Sequence, residues 1–261
     1  MVLYLEDKVR DALAGEDSFD HILRLDGQVY RQLENRRTLC IELGGQRYFI
    51  KAHFGVGWKE IFKNLLVFRW PVLGARTEVR AIQRLKSLGV DTLEIVGYGW
   101  RGVNPASQES FVMTKHLGQT ITLEDFCRPW RSLPPDPRLK RRLIARVAQI
   151  AHVLHHNGVN HRDFYLCHFH VSAGEPQGAM WLIDLHRAQL RDRTPRRWAI
   201  KDLGGLYFSA MDIGLTKRDL LRFISWYARR SLRESLIVDQ KFWQEVSKRA
   251  TSLYRAAPTI E

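Results

Sequence analysis

Alternating apolar and polar positions predict a set of short β-strands in the first half of the chain. The runs are residues 28–33, 38–43, 46–51, 93–98 and 110–115. Gly44 and Gly45 separate the second run from the third, and two glycines between alternating segments are typical of a two-residue β-hairpin. The pattern therefore predicts a small antiparallel sheet that begins near residue 28.

Apolar residues at a helical spacing predict one helix among these strands, at residues 76–88, and Gly89 is expected to end it. The second half is predicted to be mainly helical. Its helical patterns cover residues 137–157, 199–211, 216–230 and 239–255. Gly158 is placed to stop the first of these four helices.

Two shorter segments complete the pattern. Residues 116–122 are polar and are predicted to form a turn, and MWLID at residues 180–184 is predicted to be a buried strand. A small sheet with one helix is thus followed by a helical half. This order predicts an α+β protein with two lobes: a β-rich N-lobe of residues 1–118 and a mainly helical C-lobe of residues 119–261.

Charge narrows the class of partner. The 261 residues include 41 Lys and Arg against 28 Asp and Glu, which gives a net charge of +13. Such a positive field favours an anionic partner: nucleic acid, an acidic membrane surface, a phosphorylated glycolipid or an acidic protein. A solvated basic surface explains the charge equally well.

The cysteines and the lengths of the apolar runs indicate the cellular compartment of the protein. The three cysteines, Cys40, Cys127 and Cys167, are odd in number and widely spaced, which argues against a disulfide framework and a zinc knuckle. The chain begins with an acidic segment that does not resemble a signal peptide, and no apolar run reaches the length of a spanning helix. The sequence predicts a cytoplasmic protein whose membrane association, if any, is peripheral.

Four features fit the needs of phosphoryl transfer and occur in the required order. That reaction needs a cation on the nucleotide phosphates, a carboxylate that holds magnesium and a carboxylate that orients the attacking hydroxyl. Lys51 ends a predicted strand, and Glu78 lies in the following helix, where it can pair with Lys51. Either residue alone would be interpreted as a surface charge.

The other two features lie in the second half. His161, Arg162 and Asp163 form an HRD tripeptide after a helix that ends at a glycine, the context in which kinases carry this motif. Asp184 closes the predicted strand MWLID, 21 residues after Asp163. The four features together favour a protein-kinase-type phosphotransferase over a chance combination.

Longer segments resemble a known family. HRDFYLCHF, IDLHRAQL, RTPRRW and KDLGGLYFS in the second half, with LENRRTL, IFKNLL and PVLGA in the first, resemble the lipopolysaccharide core heptose kinases of Gram-negative bacteria, the RfaP/WaaP group. The resemblance covers nearly the whole chain. It implies a protein-kinase-like fold and the ATP-dependent phosphorylation of heptose I of the lipopolysaccharide inner core, with Mg²⁺ as the metal.

The resemblance assigns roles to individual residues. Asp163 is the expected catalytic base, with His161 bracing its loop. The residues expected on the nucleotide side are Lys51, Glu78, Arg36, Arg37 and Met113. Asp184 is the expected metal ligand, and His168 takes the position where protein kinases carry a second ligand. Asp202 is expected either to brace the catalytic loop or to cap its own helix.

Three departures from the protein-kinase pattern change the expected site. No GxGxxG lies between the first two strands; the predicted turn is residues 34–37, so that Arg36 or Arg37 can cover the phosphates. The asparagine expected five residues after Asp163 is His168, and Mg²⁺ prefers oxygen ligands, which leaves a second metal in doubt. The DFG motif is replaced by Asp184-Leu185-His186, which makes a flipping switch segment less expected.

Two basic groups are candidate contacts for an anionic acceptor. The group after Asp184 consists of Arg191, Arg193, Arg196 and Arg197, and it lies where kinases bind their acceptor. The other consists of Lys59 and Lys63 in a predicted amphipathic helix that also carries Trp58, Phe62, Leu65 and Phe68. That helix can lie on the inner leaflet of the membrane or face the protein core. An acidic protein such as acyl carrier protein is also compatible with the charge.

The sequence leaves rival functions open. A Kdo kinase would have the same fold and a different acceptor hydroxyl, and a protein (tyrosine) kinase would need an activation segment that is not evident. A basic scaffold protein with a degenerate kinase fold is disfavoured by the intact Lys51, Asp163 and Asp184. Nucleic-acid binding is not expected, because neither a known module nor a basic face with stacking aromatics is evident.

Overall fold

The computed structural model describes residues 1–33, 35–58, 62, 66 and 74–257. The chain forms two compact units. The first comprises residues 1–84 and 93–118, and the second comprises residues 85–92 and 119–261. The division predicted from the sequence assigned residues 85–92 to the first lobe, whereas the structure groups them with the second unit.

Hydrogen bonds explain why the 85–92 segment belongs to the second unit. The backbone N–H of Leu182 donates to the Asp91 carbonyl at 2.9 Å, and the Thr92 hydroxyl donates to the Leu182 carbonyl at 2.6 Å. Arg146 forms a salt bridge with Asp91 at 2.9 Å. These bonds attach a segment that is early in the sequence to a strand near residue 182.

A six-stranded antiparallel sheet forms the first unit. Its strands are β1 (Val2–Leu5), β2 (Gln28–Leu33), β3 (Arg36–Leu43), β4 (Gln46–Phe54), β5 (Ile95–Arg101) and β6 (Glu109–Lys115). Their order is β1-β5-β6-β4-β3-β2. Gly44 and Gly45 both have positive φ, at 55° and 72°, so the β3–β4 hairpin forms as predicted and uses the conformation that glycine adopts without steric cost.

Strand alternation gives the two faces of this sheet different neighbours. The helices of this unit are α1 (Asp7–Ala12), α2 (Phe19–Arg24) and α3 (Arg76–Ser87). On one face, Ile50 and Met113 pack in a core with Val9 and Ile22 of α1 and α2. On the other face, Val112 packs with Val79 of α3. The strand β1 and the helices α1 and α2 were not predicted from the sequence.

The second unit is mainly helical. Its helices are α4 (Leu123–Cys127), α5 (Pro137–His156), α6 (Arg196–Ser209), α7 (Lys217–Ala228), α8 (Leu232–Val238) and α9 (Gln240–Ala256). Its short strands are β7 (Thr120–Thr122), β8 (Val159–Asn160), β9 (Phe169–Ser172), β10 (Met180–Leu182) and β11 (Gln189–Leu190). The predicted turn at residues 116–122 is therefore wrong in its last part, because β7 pairs with β9 there.

An apolar cavity of about 230 Å³ lies inside the second unit. Its walls come from α5, α6 and α7 and include Leu143, Val147, Leu206 and Phe223. A cavity with this lining favours an apolar occupant over water, because water needs polar partners.

The amphipathic segment near residue 60 is only partly described. Trp58 and Phe62 are exposed, and their rings stack with centroids 5.8 Å apart. Lys59, Lys63, Leu65 and Phe68, on which the membrane-facing interpretation depended, lie outside the described residues. Across the parts of the chain that the structure describes, no helix is both long enough and apolar enough to span a bilayer.

Gly158 follows the longest helix of the second unit and permits a close approach of two backbones. Its φ is 75°, and its carbonyl accepts the backbone N–H of Arg191 at 2.9 Å. A Cβ at this position would overlap the Arg191 carbonyl oxygen. The chain therefore requires glycine directly before the strand that leads to His161.

We expect Gly158→Ala to destabilise the protein more than Gly89→Ala does. Gly89 also has a positive φ, 70°, but a Cβ there would meet no atom within 4 Å. Backbone strain of about 1–2 kcal/mol applies to both variants, and the overlap adds to it only at Gly158. Urea unfolding of the two variants measures the difference. Equal losses of unfolding free energy would contradict the overlap.

Candidate active site

The loop that carries Asp163 is fixed by a buried carboxylate on α6. Asp202 is fully buried, and its two oxygens accept the backbone N–H groups of His161 at 2.7 Å and Arg162 at 2.9 Å. Asp202 lies in the middle of α6, so it does not cap that helix. Of the two roles considered for Asp202, the brace is the one that the geometry supports.

His161 connects this loop to the strand that leads to Asp184. Its side chain is fully buried, and its Nε2 lies 2.9 Å from the Ile183 carbonyl, to which it can only donate. Burial lowers the pKa of His161. The ring is therefore neutral with its proton on Nε2, and its role is to hold two loops together.

Asp163 has an ion-pair partner that the sequence interpretation missed. Arg187 Nη1 donates to Asp163 Oδ1 at 2.8 Å, and the side chain of Asp163 is about one-fifth exposed, at 18%. Arg187 follows Asp184 by three residues, in the short 3₁₀ turn Leu185–Arg187. One oxygen of Asp163 is thus held by a guanidinium.

Asp184 lies between two imidazoles. His186 Nδ1 is 2.6 Å from Asp184 Oδ1, and His168 Nε2 is 3.5 Å from Asp184 Oδ2. His168 Nδ1 lies 2.6 Å from the Asp163 carbonyl, to which it must donate. The tautomer of His168 that donates from Nδ1 presents the lone pair of Nε2 to a carboxylate oxygen, an orientation in which both atoms can contact one metal cation.

This arrangement can contribute to a cation site but does not complete one. One carboxylate and one imidazole face each other, and no cluster of three or more His, Cys, Asp or Glu side chains that could hold a metal occurs among the described residues. Mg²⁺ is commonly held by one or two carboxylates while water and substrate phosphates supply its other ligands. Asp184 fits that role, and the nitrogen of His168 is a weaker match.

In the first unit, Lys51 forms a buried ion pair. Its Nζ lies 2.6 Å from Glu78 Oε1, and the Glu78 side chain is only 1% exposed. Lys51 is on β4 between β3 and β6, and Glu78 is in the first turn of α3. The pairing proposed from the sequence is therefore present.

The other residues expected on the nucleotide side divide between the two faces of the sheet. Residues paired directly across antiparallel strands share a face. Thr38 pairs with Lys51, so Arg36, two residues earlier on β3, lies on the Lys51 face. Arg37 lies on the opposite face and donates to the carbonyls of Leu23 and Leu25 at 2.7 and 3.0 Å.

Met113 also lies on the face opposite Lys51, fully buried beside Ile50. Neither Arg37 nor Met113 therefore accompanies the lysine, and both expected positions are corrected. The predicted turn at residues 34–37 is also wrong in its last two residues, because Arg36 and Arg37 are part of β3.

The arginine group after Asp184 is similarly divided. Arg191 and Arg197 lie against the ring of Trp198, with the guanidinium carbons 5.6 and 5.4 Å from its centroid. Arg196 instead lies over Phe242 at 5.1 Å, and Arg193 is exposed. Trp198 was not singled out from the sequence, because a tryptophan at the start of a helix is usually a packing residue.

Burial affects the acidity of the thiol nearest this loop. Cys167 is half-buried in the 3₁₀ turn Leu166–His168. Burial, with a smaller contribution from Glu124, raises the pKa of Cys167 to about 11. The thiol is therefore protonated at neutral pH, which agrees with the packing role expected for it.

Comparisons with known proteins agree on one family. The sequence model of the lipopolysaccharide kinase (Kdo/WaaP) family matches residues 20–227. The lipopolysaccharide core heptose(I) kinase WaaP of Pseudomonas aeruginosa is 50% identical over 258 residues, which cover 97% of this chain and 96% of that protein. The protein of the same name from Escherichia coli K12 is 48% identical over 250 residues, 94% of each chain.

A solved structure is similar as well. It is described as WaaP in complex with acyl carrier protein, and it matches 97% of this chain and all of that chain with a TM-score of 0.84 and 45% identity. The α+β, protein-kinase-like fold expected from the sequence is confirmed.

We expect His161 to make the unfolding free energy depend on pH. Its pKa in the folded protein is below the ordinary value of 6.5, so the unfolded chain binds a proton first as the pH falls. The stability that His161 contributes is complete above pH 6.5 and decreases below it. Urea unfolding at pH 7.5 and 5.5 measures the loss, and we expect a smaller loss in His161→Gln, where no proton can bind.

The comparison of wild type with His161→Gln isolates the contribution of His161 to the pH dependence of the unfolding free energy. His116, His152 and His170 also have lowered pKa values because of burial, and they contribute equally to both proteins. An identical loss in wild type and His161→Gln would show that His161 does not take part.

Proposed function

Because the chain belongs to the lipopolysaccharide kinase (Kdo/WaaP) family, we propose that it transfers the γ-phosphate of ATP to heptose I of the lipopolysaccharide inner core. The two relatives at about 50% identity carry the name of that activity and match nearly the whole chain. The observation that supports the chemistry is the HRD loop, whose backbone is held by Asp202 so that Asp163 follows two fixed N–H groups.

We assign Asp163 as the residue that orients the sugar hydroxyl. Its Oδ1 accepts from Arg187, which leaves Oδ2 to accept from the attacking hydroxyl. The hydroxyl proton passes to this carboxylate as the oxygen attacks the γ-phosphorus, and the bond from the γ-phosphorus to the β–γ bridging oxygen breaks to release ADP. Arg187 also contributes through its positive charge, which offsets the negative charges that converge on this point.

The nucleotide phosphates are assigned to the Lys51 face of the first unit. The ion pair with Glu78 holds the Lys51 ammonium, and a lysine in that state presents its charge to the α- and β-phosphates. Arg36 lies on the same face and supplies the cover that a glycine-rich loop gives in protein kinases.

Mg²⁺ is assigned to Asp184 with His168. The ion would neutralise charge on the phosphate oxygens while nucleotide and water complete its ligands. His186 keeps Asp184 in place through the 2.6 Å hydrogen bond to Oδ1. The unusual histidine at position 168 thus contributes by donating to the Asp163 carbonyl and by facing Asp184.

The acceptor is assigned to the second unit. Arg191, Arg193, Arg196 and Arg197 follow the metal aspartate, and the last three are exposed. Anionic groups of the inner core and lipid A are suitable partners for these guanidinium groups. Because the acceptor is a membrane glycolipid, we place the protein at the cytoplasmic face of the inner membrane, bound peripherally.

An acidic carrier protein is a proposed partner. The similar solved structure contains acyl carrier protein, and the net charge of this chain is +13, which attracts an acidic protein. The apolar cavity between α5, α6 and α7 is a suitable receptor for an acyl chain. Each of these observations concerns the second unit or the whole chain, and none involves the nucleotide residues.

Asp163→Ala is expected to reduce phosphate transfer by roughly 10²–10⁴-fold, because the acceptor hydroxyl loses its orienting carboxylate. Radiolabelled ATP with lipopolysaccharide that lacks core phosphate measures the transfer. Asp11→Asn is the matched control, since Asp11 is an exposed carboxylate on α1. The proposed function fails if wild type never labels the glycolipid or if Asp163→Ala labels it equally.

Mass spectrometry of the labelled core separates the alternatives. Phosphate on heptose I agrees with the proposed function, and phosphate on Kdo identifies the rival sugar kinase. Label found only on protein tyrosine identifies the protein-kinase alternative.

Glu78→Gln is expected to reduce kcat by about 10²-fold, because Lys51 loses the partner that positions its charge. The matched control is Glu94→Gln, which removes the Lys115–Glu94 salt bridge of the same length, 2.6 Å, from the same unit. Glu94 is half-exposed, and a surface ion pair contributes little. Equal effects of the two substitutions in steady-state kinetics would contradict a specific role for the Lys51–Glu78 pair.

A further inference from the structure

Four cationic side chains surround the indole ring of Trp198. The distances from the ring centroid are 5.6 Å for Arg162 Cζ, 5.6 Å for Arg191 Cζ, 5.4 Å for Arg197 Cζ and 5.3 Å for Lys201 Nζ. A single aromatic ring commonly attracts one cation. Four around one ring form a concentrated positive site that the ring itself does not neutralise. We call these four side chains and Trp198 the Trp198 cluster.

No carboxylate of the described part of the chain forms an ion pair with any of these four cations. Burial and neighbouring cations both lower the pKa of two of them. Burial lowers the pKa of Lys201, and Arg162 and Arg187 lower it further. Burial also lowers the pKa of Arg162, with Arg187 next in importance, while Asp163 and Asp202 act in the opposite direction. Four cations close to one ring, without an ion-paired carboxylate among the residues that the structure describes, are expected to bind an anion.

Two members of the cluster, Arg191 and Arg162, are held in position before any ligand binds. Arg191 donates to Asn160 Oδ1 and, at 2.6 Å, to Gln189 Oε1. Both acceptors are neutral, so they orient the guanidinium without compensating its charge. Arg162 is held through its backbone by Asp202 and has the left-handed φ of 76°. Fixed cations lose little conformational entropy on binding, which favours a defined ligand over a diffuse ion atmosphere.

The cluster also adjoins the proposed reaction centre. Arg162 directly precedes Asp163, and Lys201 directly precedes Asp202, which braces the same loop. Arg197 and Trp198 lie in the first turn of α6, a 14-residue helix whose N-cap residue, Pro195, offers no side-chain acceptor. The positive end of the helix dipole at this helix start adds to the positive potential.

We propose that the Trp198 cluster is an acceptor subsite that binds an oxyanion of the glycolipid and so positions the sugar hydroxyl against Asp163. This inference rests on the proposed function, and it adds Arg162, Trp198 and Lys201 to the residues assigned to the acceptor. The oxyanion is either the carboxylate of an acidic core sugar or a phosphate of the lipid part. Guanidinium groups bind both in a bidentate manner.

The Trp198 cluster determines which acceptor binds and takes no part in the transfer of the phosphate. Loss of one cation from the cluster weakens acceptor binding and leaves the nucleotide site intact. A charge-assisted hydrogen bond to a carboxylate or phosphate corresponds to about a tenfold change in Kd. The KM for glycolipid therefore increases, whereas the KM for ATP does not.

Calorimetric binding of deacylated inner-core oligosaccharide tests the subsite without phosphate transfer. Three ligands are compared: one with carboxylates and no phosphate, one with phosphates and with its carboxyl groups reduced, and one that lacks both. We expect wild type to bind one of the first two at least about tenfold more tightly than the third. The tighter of the two identifies the source of the oxyanion.

The variants are Lys201→Gln and Arg197→Gln, with Lys248→Gln as the control. Lys248 is an exposed lysine on α9, and its substitution removes the same charge outside the cluster. We expect each cluster variant to lose about tenfold in affinity for the preferred anionic ligand and to bind the neutral ligand as wild type does. Arg197 is exposed, so its substitution tests the subsite even if Lys201→Gln fails to fold.

Two results would overturn the subsite: equal affinity of wild type for all three ligands, or an equal loss in Lys248→Gln and the cluster variants. Phosphate transfer is measured in parallel on the intact glycolipid. Normal transfer without anion-dependent binding would reject the subsite and keep the kinase assignment. Anion-dependent binding without phosphate transfer would keep the subsite and reject the kinase assignment.

Discussion

The carboxylate of Asp202 holds two consecutive backbone N–H groups directly before Asp163, and the rest of the site depends on that contact. Both oxygens are buried, so the two bonds act in a medium where charge-assisted hydrogen bonds are strong. Arg162 is kept in a left-handed conformation that it would otherwise avoid. From that fixed loop, His161 reaches the strand before Asp184 and His168 reaches back to the Asp163 carbonyl. One buried side chain on a helix thereby sets the position of two loops.

The excess of cationic over anionic side chains in the second-unit site is the second constraint. Few carboxylates serve the second-unit site, and each has a defined partner: Asp163 with Arg187, Asp184 with His186, and Asp202 with backbone N–H groups. The cations near Trp198 have no such partners among the described carboxylates. A reaction in which ATP and an acidic glycolipid bind to one protein brings many negative charges together, and a surplus of cations lowers the electrostatic cost of binding them.

Much of the fold could be predicted from local pattern. Three features depend only on residues that are adjacent in sequence, so the sequence predicts them. They are the Gly44-Gly45 hairpin, the end of a helix at Gly158 and the HRD tripeptide. The face of the sheet on which a strand residue lies cannot be predicted in this way, because a shift of the strand register by one residue reverses the face. For that reason the adjacent residues Arg36 and Arg37 lie on opposite faces of the sheet, and Met113 lies on the face opposite Lys51. Arg187 and Trp198 acquire their roles only from partners distant in sequence.

Cys167 has a consequence for chemical intervention. It lies one residue from His168, beside the loop that any inhibitor of this site would approach, and it is the half-buried member of three free cysteines. With a pKa of about 11, roughly one thiol in ten thousand is ionised at neutral pH, and the thiolate is the form that attacks an electrophile. An electrophilic inhibitor aimed at Cys167 would therefore react slowly, because the thiol is close to the site but is protonated. A ligand for this site has to gain its residence time from the fixed cations and carboxylates instead.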